Sequence, residues 1–528
     1  MIGNKSKEDH SNNVKRWVMI LLPFYLFTFL LLFFSSCTET VSDAKQEAAQ
    51  PRIYPDYVGV TVPVNIAPLC FNMADETALR IDAVVTDSHG GSLHAQGEES
   101  ADFDIDEWHT LLSQNRGDSL SVVVSAKYED GWHTYKPFSI YVSPDSIDYG
   151  LCYRLIEPGY EVWSKMGIYE RDLSSFEERP LIENTQFEGC VNCHSFNRAN
   201  PKDMSLHIRG PHGATLLRKD YGPVTAYNTK TDRTLGLCVY PYWHPSGRYI
   251  AYSTNTTNQL FHSAGKNRVE VFDTASDLQV YDVEKNELLL SPLLKKDSVY
   301  ETYPVFSADG RSLYFCAATP TTVPEPVAFD QRSLATNGMQ EGLNSLRYNL
   351  CRIDFDPETG RFGERVDTIV NAASQQKSVS FPRPSYDGRF LCYTLSDYGQ
   401  FSIWHHEADL WLLDLATGQS RLMDGANSED TESFHNWSTN SRWLVVSSRR
   451  DDGLFTRPYF CHVDTDGKVT KAFMLPQRNP RQFYRGRFMS FNVPDFITAP
   501  TRFDSHQAAK AINDTYRRNF GVRETTTP

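Results

Sequence analysis

Phe306-Ser307-Ala308-Asp309-Gly310-Arg311-Ser312-Leu313-Tyr314-Phe315 reads as a tight turn feeding an alternating strand. Asp-Gly supplies the positive φ of a two-residue hairpin turn, and the residues after it alternate as a half-buried strand does. Three further stretches repeat the pattern: Tyr242-Trp243-His244-Pro245-Ser246-Gly247-Arg248-Tyr249-Ile250-Ala251-Tyr252, Pro384-Ser385-Tyr386-Asp387-Gly388-Arg389-Phe390-Leu391-Cys392-Tyr393 and Trp437-Ser438-Thr439-Asn440-Ser441-Arg442-Trp443-Leu444-Val445-Val446. Self-similarity at such spacing marks a repeat architecture.

A second element recurs. Strands that run into a turn begin at Ile168, Val224, Gln279, Cys351, Leu410 and Phe460, six in all. Each is taken to open one repeat unit, with the hairpin following it. The sixth hairpin is expected, in degenerate form, between Phe483 and Val493. The four turns resemble the repeat of TolB-like (WD40-like) propellers. That resemblance implies an all-β chain with a six-bladed propeller of four-stranded blades around a central channel. The propeller is assigned residues 149–500, with Cys152 to Ile156 helping to close the ring. A tail at 501–528, helical from His506 to Arg518, completes the chain.

Residues 53–148 read differently. Strand-like runs at Tyr57 to Val62, Leu79 to Val85, Leu120 to Ala126 and Phe138 to Val142 suit a small β-sandwich of the Ig-like kind. Ahead of it, Lys5, Lys7, Lys15 and Arg16 precede an apolar run from Val18 to Phe34 and then Ser35-Ser36-Cys37. This resembles a bacterial lipoprotein signal, residues 1–36. The resemblance implies cleavage before Cys37 and lipidation of that cysteine. Residues 37–52 would then be a flexible tether on a membrane of the cell envelope, periplasmic or surface-facing. The alternative is an uncleaved anchor, and either exports the chain beyond residue 37.

At 528 residues the chain exceeds one ordinary domain. Its 52 Lys and Arg against 66 Asp and Glu leave a net charge of −14, which argues against a nucleic-acid partner. No G-x-S-x-G nucleophile elbow and no phosphate-binding glycine loop occurs. Of the ten cysteines, seven are scattered singly and read as small buried apolar residues.

The exception is Gly189-Cys190-Val191-Asn192-Cys193-His194, a C-x-x-C-H motif matching the haem attachment site of c-type cytochromes. Two thiols so spaced on one turn can bond the two vinyl groups of a haem, with the next histidine on the iron. The expectation is one covalent haem c on Cys190 and Cys193, with His194 as axial ligand. His207, His212 or Met204 are candidates for the second axial position, and Arg209 for a propionate. Aligned on the repeats, His194-Ser195-Phe196 falls where other units have Pro-x-Trp/Phe, at the start of an innermost strand. That places the haem at the channel rim. A redox pair, or a zinc site completed by His207 or His212, are the other readings of the motif. A lesser cluster is His405-His406-Glu407 with Asp409, read as a metal site or a polar loop. The function expected is envelope electron transfer or haem redox chemistry with an unidentified redox partner. The alternative is a haem-free TolB-like scaffold that binds envelope proteins or a ligand.

Overall fold

The computed structural model describes residues 39–157, 165–261, 267–320 and 345–525. The signal at 1–36 and Cys37 lie outside the described residues.

Residues 39–148 build a seven-stranded sheet that includes Arg80–Thr86, Ser119–Tyr128 and Phe138–Ser143, together with a three-stranded sheet. Leu120, Val122 and Val124 face its core, as period-2 alternation requires. A helix, Ile105–Gln114, was not expected there; Asp104 caps it by accepting from the backbone N–H of Asp106 and Glu107. The expected free tether is also corrected. Lys45–Gln46 pairs in parallel with Gly131–Thr134, and the Glu39 N–H donates to Gln96 Oε1 at 2.8 Å.

Among the described residues the remainder forms six sheets of four strands, consecutive in the chain in five of them, with two sheets extended by a fifth strand. In chain order their first strands are Cys190–Asn197, Val239–Trp243, Tyr300–Phe306, Ser378–Pro384, Glu432–Trp437 and Ser490–Ile497. Each first strand packs against the next, and the last packs against the first, so the arrangement is a closed, propeller-like ring. The sixth sheet joins the chain's two ends: Ser490–Ile497 pairs with Gly150–Ile156, which pairs onward to Met166–Asp172 and Glu178–Glu183.

Three expectations change at this level. The repeat unit begins with the strand before the hairpin turn, not with the strand after the hairpin. Val269–Asp282, which contains Gln279, therefore belongs to the same sheet as the Tyr249–Phe261 strand ahead of it. The segment from Phe483 to Val493 is not a hairpin; it spans the end of the helix Pro480–Gly486 and the start of the closing strand. The tail carries a helix at Ser505–Asn513, but Arg518–Asn519 and Gly521–Glu524 are strands that extend the first and second sheets in parallel.

Candidate functional site

Every first strand is broken at an equivalent place, and Cys190–Asn197 has a second shift at Phe196/Asn197. The register shifts at Asn192/Ser195, Val239/Tyr242, Thr302/Val305, Ser380/Arg383 and Ser433/Asn436, and again where Asn492 to Asp495 meets Gly150–Ile156. At each shift one non-glycine residue takes a left-handed φ: Cys193 (46°), Tyr240 (52°), Tyr303 (54°), Phe381 (50°), Phe434 (45°) and Val493 (51°). A bulge of this kind leaves a residue unpaired and re-aims its side chain. A left-handed non-glycine residue costs energy, so six in equivalent places indicate a shared structural demand.

That demand is the filling of the axis. Tyr240 meets Tyr303 at 4.6 Å between ring centroids, Tyr303 meets Phe381 at 4.2 Å, and Phe381 meets Phe434 at 4.7 Å. Four aromatic rings from four successive sheets thus plug the channel. Cys193 and Val493, from the two remaining sheets, hold the same position with small side chains. The gap this leaves is a cavity of about 60 Å³ bounded by Cys193, His194, Val493, Arg154 and the aromatic rings.

The residue after the bulge is Pro241, Pro304, Pro382 and Pro494 in four sheets, and His194 and His435 in the other two. The two histidines behave alike. His194 Nε2 lies 3.2 Å from the carbonyl oxygen of Cys152, and His435 Nε2 lies 3.0 Å from that of Cys392. Both carbonyls belong to the second strand of the preceding sheet in the ring. In both rings Nδ1 is buried without a partner. Burial holds the imidazolium forms down, to a pKa of about 4 for His194 and about 3 for His435. His435 does this with no cysteine pair beside it.

The motif itself lies in a strand and not on a helical turn, which corrects the assumed geometry. Cys190 lines an adjoining cavity of about 350 Å³ at the channel mouth, which shares Arg154, Asn192, Tyr240 and Phe401 with the axial one but not Cys193. Burial pushes the Cys190 thiol up, opposite to what a reactive thiolate needs. All nine described cysteines are unpaired and buried.

The candidate second ligands are dispersed. His207 sits opposite Asn192 on the neighbouring strand, with Nδ1 3.3 Å from Thr215 Oγ1 and a pKa held down to about 3 by burial. Met204 is buried opposite Phe196. His212 occupies the turn after Arg209, its carbonyl accepting from Arg517 at 3.4 Å. None of the three lines either cavity. Arg209, by contrast, lines the mouth beside Cys190.

Among the described residues no group of three His, Cys, Asp or Glu side chains is placed to hold a metal ion. The lesser histidine cluster forms ion pairs instead. His405 Nε2 lies 3.0 Å from Glu270 and Nδ1 3.5 Å from Glu407, while His406 Nδ1 lies 2.9 Å from Asp430. Although burial pulls the other way, the bonds to Glu270 and Glu407 raise the pKa of His405 to about 9.

A haem meets this arrangement unevenly. The donor types are right, and an imidazole with one nitrogen on a carbonyl and the other free is how metal-binding histidines are held. The space is not: His194 and Cys193 share about 60 Å³, whereas pockets for ligands of drug size run to about 300–1,000 Å³. As folded, the residues do not fit the group.

No family model matches the chain, and no curated protein matches it. Among solved structures, prolyl oligopeptidase B of Galerina marginata is similar at 10% identity over 61% of this chain and 44% of its own, with a TM-score of 0.35. A DUF4784 family protein of Bacteroides caccae matches at 8% identity over 74% and 98%, with a TM-score of 0.29. Dipeptidyl peptidase 4 of Porphyromonas gingivalis matches at 10% identity over 85% and 64%, with a TM-score of 0.29. The match spans about half the length of the prolyl oligopeptidase, from 44% to 53% across its structures. Likenesses this slight bear on neither fold nor activity.

Proposed function

We propose that this chain is a lipid-anchored six-bladed propeller of the TolB-like kind, tethered through Cys37 to an envelope membrane. It would act as a binding scaffold whose site is the mouth of the axial channel. The supporting observation is the internal equivalence around the axis. Cys193 takes the place that Tyr240, Tyr303, Phe381, Phe434 and Val493 take in the other sheets, and His194 takes that of His435. Both residues of the motif that approach the axis therefore have structural counterparts elsewhere in the ring. The distinctive feature of this side is the room left at the mouth.

A covalent haem on Cys190 and Cys193 is the second reading. It draws on the free Nδ1 of the carbonyl-held His194, and it requires the aromatic plug to move. Intact mass and a pyridine haemochrome spectrum, on protein made with cytochrome c maturation machinery, separate the two. The scaffold reading expects the lipidated chain mass with no haem band. One haem, lost in Cys193→Ala, would overturn it in favour of the second.

A further inference from the structure

The mouth cavity of about 350 Å³ gathers three guanidinium groups, those of Arg154, Arg209 and Arg449. Two are deeply buried, at 8% exposure for Arg154 and 2% for Arg449. None pairs with a carboxylate among the described residues. Arg154 Nη1 donates to the amide oxygen of Asn192 at 2.6 Å, and its buried Nε has no partner. Arg449 lies 3.4 Å from the centroid of the Trp404 ring and donates through Nε to the Ile403 carbonyl at 2.6 Å. Burial lowers the pKa of Arg449 to about 9. The Arg209 guanidinium makes no hydrogen bond or ion pair among the described residues; against the cost of burial, the nearby Cys193, Tyr240, Cys190 and Asp273 raise its pKa. Glu157, the one carboxylate among the described lining residues, is itself engaged.

Buried cations are ordinarily paired, because desolvation without a counter-charge is expensive. Three on one cavity also repel one another. A guanidinium is a planar fork that matches carboxylate, sulfate or phosphate oxygens two at a time. The wall also carries apolar and aromatic surface from Tyr240, Phe401, Trp404 and Met166, alongside the polar Asn192, Thr257, Gln259, Ser490 and Asn492. The volume lies at the low end for small-molecule sites.

We infer that the channel mouth binds a small organic anion, its acidic group held by Arg209 and Arg154 and its ring or apolar body against Tyr240, Phe401 and Trp404. This deepens the scaffold reading and rests on it.

Titration calorimetry on the full-length chain in detergent tests it, with benzoate, phenyl sulfate and phenyl phosphate as probes and benzyl alcohol as the neutral control. At least one anion is expected to bind with Kd below about 1 mM, and the neutral control at least tenfold more weakly. Arg209→Met should weaken that anion at least tenfold and shrink the rise in Tm that the anion produces. Arg365→Met, on an exposed strand, should change neither. Absence of binding by all three anions, equal binding of benzyl alcohol, or an unchanged affinity in Arg209→Met would overturn the inference. If the haem spectrum is blank and no anion binds, the anion site fails and the scaffold reading survives. A haem band removes the scaffold reading itself.

Discussion

At the residue scale, His194 and His435 show what a buried histidine does to acid stability. Each is neutral in the folded chain, with a pKa held down to about 4 and about 3 by burial, while in the unfolded chain it titrates near 6.5. Below about pH 6.5 the unfolded state therefore takes up a proton that the folded state refuses, and stability falls as pH falls. Per histidine the loss is about 2 kcal/mol between pH 7 and pH 5. Buried acids such as Asp273 and Glu301, raised by burial to about 6 and about 9, slope the other way. The prediction is therefore a difference between two proteins. In urea titrations at pH 7 and pH 5, His435→Gln should gain about 2 kcal/mol relative to the wild type on going to the lower pH. A gap that does not change with pH would mean that His435 takes up its proton in the folded chain as it does in the unfolded one. Little of this was legible in the sequence. That His194 falls where other units carry proline follows from aligning the repeats. That its ring reaches back to the preceding sheet does not, because His435 lies in no motif that draws the eye.

At the scale of the element, each first strand is a strand with a fault built into it. The bulge turns one side chain toward the axis, and in two strands a Trp three positions later bonds to the neighbouring sheet. Trp243 Nε1 donates to the Ser195 carbonyl at 3.3 Å and Trp437 Nε1 to the Arg383 carbonyl at 3.0 Å, the same bond made twice around the ring. The turns after these strands were readable because Asp-Gly and its equivalents carry a local backbone preference. The bulges were not, since a left-handed Cys, Tyr, Phe or Val has no local signature and is imposed by packing. The same blindness explains the motif: two cysteines three apart look identical in sequence whether the backbone is a turn or a strand. The C-terminal strands are a further tertiary element. Phe520 stacks on Tyr281 at 3.8 Å and 11°, and meets Tyr227 at 5.3 Å, while Arg518–Asn519 and Gly521–Glu524 cover two outer sheet edges that would otherwise lie open. Phe520→Ala should cost about 3 kcal/mol in urea denaturation, as a buried Phe truncation does. A loss under about 0.5 kcal/mol would show the tail to be a loosely held surface segment.

At the scale of the whole molecule, stability depends on a joint made between residues far apart in the chain. The ring is closed by Ser490–Ile497, which pairs with Gly150–Ile156. Four of the six sheets announce themselves through a repeated turn, so a ring of repeats could be read from the sequence. The sixth sheet could not be assembled that way, because its first strand has no hairpin after it and its pairing is chosen by closure and not by neighbours. The N-terminal unit is bonded to the fifth sheet, next to the joint in the ring. Asp148 accepts from Thr439 N at 2.8 Å, His462 Nε2 lies 2.8 Å from Asp145, and Tyr57 donates to the Met474 carbonyl at 3.3 Å. A chain carrying Gly150→Pro, Cys152→Pro and Arg154→Pro keeps the C-terminal strands over their two edges but cannot pair Gly150–Ile156 with Ser490–Ile497. Loop closure over so long a span is favourable only when the contacts it creates form together. This variant should therefore lose the single cooperative unfolding transition and elute as oligomers on size exclusion, through its open closing edge. A monomer that still unfolds in one step would mean that five sheets and the N-terminal unit suffice, and that the ring is a consequence of the fold instead of a condition for it.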